Sequence, residues 1–125
     1  MKKTQIPILI STPHQKYGNI LAKLISELSD SIEIKGIFPS FDRVFQSGKI
    51  ANVKFLLICL DRSIKDLFLF VSTFKNLFPG TDLIIMTFWD NSFYQNRLVL
   101  SGAFGIYEIN KPIESLIDLL EQVKY

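Results

Sequence analysis

The stretch LSGAFGIYEINKPIESLIDLLEQV, residues 100–123, sets a short apolar run against a Lys-Pro pair and then an amphipathic helical pattern. Gly102 and Ala103 form a turn, the run from about Gly105 to Ile109 predicts a strand, and Lys111-Pro112 ends it. Beyond the pair, Ile113, Leu116, Ile117, Leu120 and Val123 recur at three- and four-residue spacing, the mark of a helix with one apolar stripe. Working backwards, the same alternation returns. Leu83 to Met86 predicts an apolar fourth strand ending at Thr87. A short helix follows, opened by Asn91 or Ser92 and running through Phe93, Leu98 and Val99 to Gly102. Lys54 to Leu60 predicts a third strand, continuously apolar from Phe55, which implies burial on both faces and a place in the middle of a parallel sheet. Ser63 is the candidate cap of the next helix. Its apolar positions Ile64, Leu67, Phe68, Val71, Phe74, Leu77 and Phe78 lead to the Pro79-Gly80 stop.

Towards the N-terminus, Gln5 to Ile10 predicts a buried strand that leaves the sheet through Ser11, Thr12 and Pro13. Tyr17 to Leu28 predicts a helix with Ile20, Leu21, Leu24, Ile25 and Leu28 as its apolar stripe. Ile32, Ile34, Ile37 and Phe38 make a second strand stopped by Pro39, and Phe41 to Ser47 is a weak helix closed by Gly48. Five strands alternating with five helical segments predict an α/β fold. Right-handed crossovers then place helices on both faces of one parallel sheet, a three-layer doubly wound sandwich of flavodoxin-like strand order 2-1-3-4-5.

A length of 125 residues implies one domain over 1–125, and a 48% hydrophobic content implies a well-filled core. Fourteen basic against twelve acidic residues leave a net charge of +2, too small a field for nucleic-acid binding through phosphates. No apolar run approaches the ~18 residues of a membrane span, and the start MKKTQIPILISTPH breaks at Pro7 and Ser11 without a cleavage site. A cytoplasmic protein with no membrane contact is expected. The single Cys59, inside FLLICL, excludes an internal disulfide and reads as a small buried hydrophobe. Eleven Phe residues exceed the needs of such a core, which implies that some meet a contact surface.

In an open α/β sheet the carboxyl ends of the strands surround the functional crevice. Those ends present Ser11, Thr12 and Pro13, then Asp61, Thr87, and Asn110 with Lys111. No glycine-rich phosphate loop follows the first strand, which argues against a nucleotide- or flavin-binding enzyme. The lone His14 has no Cys or carboxylate at ligand spacing, so no metal site is expected there. Phe88, Trp89, Phe93 and Tyr94 crowd the exit of strand four, either as anchors for a partner or as a cover for the crevice.

Taken together, an apolar third strand ending at Asp61, an apolar fourth ending at Thr87, and a Gly-Ala turn leading to Lys111-Pro112 resemble the response regulator receiver domains (CheY-like) of bacterial two-component signalling. The resemblance implies Asp61 at the phosphoacceptor position, Thr87 and Lys111 as phosphate contacts, Tyr107 as the switch aromatic, and a cis Lys111–Pro112 bond. Where that family carries an acidic pair for its ion, this chain has Ser11, Thr12 and Pro13, which cannot supply it. The stretch from Asp61 to Thr87 is also several residues shorter, which would set Asp61 just past the position it resembles. The expectation is a degenerate receiver (a pseudo-receiver), not an enzyme, with no cofactor. It would act through a protein partner, a sensor kinase or downstream regulator, and could pair as a homodimer through its fourth-helix, fifth-strand and fifth-helix side. The alternative is a phosphorylatable receiver that uses Mg²⁺ and modifies Asp61.

Overall fold

The computed structural model describes residues 5–59, 66–87 and 92–122. Asp61, Phe88 and Trp89 lie outside the described residues, as does the side chain of Tyr94. Among the described residues, strands β1 (Ile6–Ser11), β2 (Ile32–Phe38), β3 (Phe55–Cys59), β4 (Asp82–Thr87) and β5 (Gly105–Glu108) form one parallel sheet of order β2-β1-β3-β4-β5. Helices α1 (Gln15–Leu28), α2 (Phe41–Ser47), α3 (Leu67–Leu77), α4 (Ser92–Ser101) and α5 (Ile113–Glu121) alternate with the strands. The α/β doubly wound architecture and its strand order are those expected from the apolar runs.

Side chains alternate across the sheet, so each central strand feeds two cores. Ile8, Ile10, Phe55, Leu57, Ile84 and Met86 pack with Leu21 and Ile25 of α1 and Leu116 and Leu120 of α5. Leu9, Leu56, Ile58, Leu83 and Ile85 pack with Val44 of α2, Val71 and Phe74 of α3 and Leu98 of α4. All five residues of β3 are buried, as its continuous apolarity requires. On the outer strand β2 the register slips: Ile8 faces Ile34 but Leu9 faces Gly36, so Lys35 is an extra, bulged residue.

The end of the sheet where strands begin is tied by polar contacts. Thr81 Oγ1 reaches the carbonyls of Ile50 and Val53 at 3.1 and 2.9 Å. Asp82 pairs with Lys75 at 2.9 Å and Lys54 at 3.6 Å. Gly48 takes a left-handed φ of 71° to close α2, as its place in the sequence implied. Gly18 is set by close approach: a Cβ there would lie 2.8 Å from Ile37 and 2.9 Å from Thr12, so α1 can sit this low on the sheet only without one.

Three expectations are corrected. The cap of α3 is Asp66, whose carboxylate accepts the Leu69 N–H at 3.1 Å, and the helix begins at Leu67; Ser63 and Ile64 lie outside the described residues. The α1 stripe is only partly buried: Leu21 and Ile25 face the core, while Ile20, Leu24 and Leu28 face solvent. Ile20 and Ile25 stand about 140° apart around the helix, a wider arc than the sheet can cover. No peptide bond among the described residues is cis, so Lys111–Pro112 is trans. Lys111 closes a turn, with its N–H on the Glu108 carbonyl at 2.9 Å.

Candidate functional site

The register of the strands fixes which side chains meet at the carboxyl edge. Ser11 pairs with Ile58, so the next residue on the β1 side, Thr12, comes level with Cys59, the last residue of β3. Cys59 pairs with Met86, and Met86 with Tyr107. A single row, Thr12, Cys59, Met86 and Tyr107, therefore crosses the mouth of the sheet, and every member is buried. Tyr17 of α1 closes over it, near enough to Cys59 and Tyr107 that their charged forms would repel its own.

The row is electrically neutral. Burial pushes the Cys59 thiol up, against the opposing effect of a hydrogen bond with Thr12. Burial, with Cys59 and Tyr107 nearby, pushes Tyr17 up to about 12. Tyr107 is raised by burial and by Glu114. Thr12 is fixed by the turn that follows β1: its Oγ1 accepts the His14 N–H at 3.1 Å. On the opposite face Ser11 Oγ is buried with no hydrogen-bond partner among the described residues.

Mg²⁺ prefers carboxylate and other hard oxygen ligands in octahedral array and gives up its waters reluctantly. Hydroxyls and a thiol kept protonated by burial do not fit that ion. Among the described residues no group of three His, Cys, Asp or Glu side chains comes together.

The residues singled out from the sequence are distributed as follows. Thr87 is buried at the end of β4, opposite Glu108. Tyr107 points inward, and its hydroxyl donates to the Lys111 carbonyl at 2.9 Å, which ties the end of β5 to the loop before α5. The Lys111 side chain is 58% exposed, with its ammonium 3.7 Å from the Glu108 carboxylate. Phe93, in the first turn of α4, is 72% exposed. Asp61 falls two positions beyond Cys59 in the chain, outside the described residues. The Thr12–Cys59 pairing escaped notice in the sequence because Cys59 sits inside an apolar run. Counting equal runs, Ile8 to Ile10 against Phe55 to Leu57, would have exposed it.

Among the described residues no helix is long and apolar enough to cross a membrane. No family model and no curated protein matches the sequence. Solved structures do match it in shape. The signal receiver domain of the response regulator NarL from Mycobacterium tuberculosis is 12% identical, with a TM-score of 0.77 over 95% of this chain and 98% of that one. The isolated REC domain of RcsB from Salmonella enterica serovar Typhimurium, with the phosphomimetic BeF3-, is 14% identical at a TM-score of 0.78 over 92% and 85%. A pilus assembly-related protein from Burkholderia pseudomallei is 17% identical at 0.76 over 96% and 90%. At such identities the likeness is one of fold, and the fold this chain carries along nearly its whole length is that of response regulator receiver domains.

Proposed function

We propose that this chain is a receiver-like signalling module of two-component, phosphorelay type that works by protein–protein contact, without Mg²⁺-dependent phosphorylation of an aspartate. The observation that carries this reading is the neutral row at the sheet's mouth, Thr12, Cys59 and Tyr107 beneath Tyr17. Phosphoryl transfer to a carboxylate gathers several negative charges and needs a cation to offset them. Here the end of β1 supplies hydroxyls, and the described end of β3 supplies a protonated thiol. The Lys111 ammonium has a carboxylate beside it in Glu108.

What such a module offers is a surface. Phe93, exposed on α4 beside the segment that holds Phe88 and Trp89, is the side chain on which a sensor kinase or downstream regulator would dock. The domain performs no chemistry of its own.

Incubation with a small-molecule phosphodonor and Mg²⁺, followed by intact mass measurement, tests the proposal. The expected result is an unchanged mass. A gain of one phosphoryl group that disappears in Asp61→Asn overturns it in favour of a phosphorylatable receiver.

A further inference from the structure

On the face of the sheet away from Tyr17 and α5, α2 and α3 leave between them an open groove of about 500 Å³. Its walls are phenyl rings. Phe41 meets Phe70 edge-on at 5.0 Å towards the start of the two helices, and Phe45 meets Phe78 at 6.2 Å towards their ends. Phe74 stands between, 5.9 Å from Phe41 and 5.2 Å from Phe78. The rings brace one another, yet Phe45 stays 56% exposed, and Leu77 beside Phe78 is 63% exposed. Asp42, in the first turn of α2, and Asp66, the cap of α3, border the groove at the Phe41–Phe70 end. The groove is therefore polarised along its length, acidic at one end and apolar at the other.

Both carboxylates are exposed, and among the described residues neither forms an ion pair. Asp66 uses one oxygen to accept the Leu69 N–H at 3.1 Å and keeps the other. The described cations of these helices are engaged elsewhere: Arg43 lines a separate pocket with Phe38 and Pro39, and Lys75 pairs with Asp82 at 2.9 Å. The face of a phenyl ring is the negative part of its quadrupole and attracts a cation within about 6 Å of the centroid. On α3 that attraction is already in use at Phe68, where the Arg97 guanidinium stands 4.5 Å from the ring centre. In the groove, rings of the same kind lie beside two carboxylates with no described cation on them. A metal ion does not fit there, since phenyl rings are no ligands for it and, among the described residues, no three ligating side chains converge.

We propose that the α2–α3 groove binds a small organic cation, an ammonium carried on an apolar body. The ammonium lies at the Phe41–Phe70 end, where ring faces and the carboxylates of Asp42 and Asp66 offset its charge. The apolar body runs towards Phe45 and Leu77 and covers surface that the fold leaves in water. A cavity of this size, apolar with a few polar groups at one end, has the build of a small-molecule site. The carboxylates repel an anion, and a neutral ligand leaves them unanswered.

Titration of the isotope-labelled chain with benzyltrimethylammonium, read by amide NMR shifts, tests this against dimethylbenzylcarbinol, a neutral alcohol of nearly the same shape. The cation is expected to shift amides of α2 and α3 and to bind about tenfold more tightly than the alcohol. The preference shrinks as salt is raised, because the carboxylates are exposed. Asp42→Asn combined with Asp66→Asn lowers the preference to about threefold or less and leaves the alcohol's affinity unchanged. Asparagine caps a helix as well as aspartate, so α3 keeps its start in that variant. Phe70→Leu keeps the wall apolar but removes a ring face, and weakens the cation about fivefold; if it does not fold, the paired Asn variant carries the test. Arg62 and Lys65 precede Asp66 in the chain, outside the described residues; if they bar cations from the groove, the two probes bind alike and the proposal falls. No binding of the cation, shifts confined to other helices, or a preference untouched by the paired Asn substitutions overturns it as well.

Discussion

The two ends of the sheet use polar groups in opposite ways. Where the strands begin, the Thr81 hydroxyl serves two carbonyls, and Asp82 sits between Lys54 and Lys75. Where they end, the hydroxyl of Ser11 is buried without a partner among the described residues, and Thr12, Cys59 and Tyr107 form a row that burial keeps uncharged. An unsatisfied buried polar group costs stability, and in a fold of this kind the carboxyl ends of the strands are where a ligand would be met. One end of the sheet therefore ties its strands together through paired polar groups, while the described part of the other buries a row of uncharged side chains.

Thr81→Val bears hardest on this contrast. It removes the donor and leaves the Ile50 and Val53 carbonyls buried and unpaired, an expected loss of about 2 kcal/mol in urea unfolding. A loss near zero would mean that the amino-edge network is not stabilising. The corresponding deletion at the mouth should have the opposite sign. Ser11→Ala discards a buried, unpaired hydroxyl and is expected to gain about 1 kcal/mol in the same measurement. A loss would erase the difference between the two ends.

An effect no larger than that of Ser11→Ala is the one of pH on Tyr17. Its phenol is raised from 10.0 to about 12 in the folded protein, so the stabilisation is complete below pH 10 and is lost as pH climbs towards 12. In that window the unfolded chain gives up a proton that the folded one keeps. Solvent around the partly exposed ring limits the effect to about 1 kcal/mol. Unfolding of wild type and Tyr17→Phe at pH 8, 10 and 11 should show a shallower alkaline decline in the variant. Parallel declines would place the sensitivity elsewhere.

The layers of the fold were legible in the sequence because β3 and β4 are unbroken apolar runs and the helices keep three- and four-residue spacing. The helix-cap glycine Gly48 was legible for a similar local reason. What escaped depends on partners distant in the chain. A strand's own residues do not state its register, so Asp61, the only acid near the end of the third run, drew attention from Cys59, which the pairing with β1 places beside Thr12. Ile20, Leu24 and Leu28 looked like core because periodicity reports apolarity and not which arc of a helix finds a neighbour. The Ser63 cap failed by three residues because Asp66, equally able to accept an amide hydrogen, lies closer to the first packed residue, Leu67.

The bulge at Lys35 has a consequence for how copies can meet. An outer parallel strand offers a line of free amides and carbonyls to which any extended chain could zip. The extra residue in β2 breaks the spacing of that line and adds a salt-bridged Lys35–Glu33 pair of exposed charges beside it, while the outer strand β5 is only four residues long. Fibril-like growth by strand addition is thereby discouraged at both margins, and contact between molecules is left to their helices.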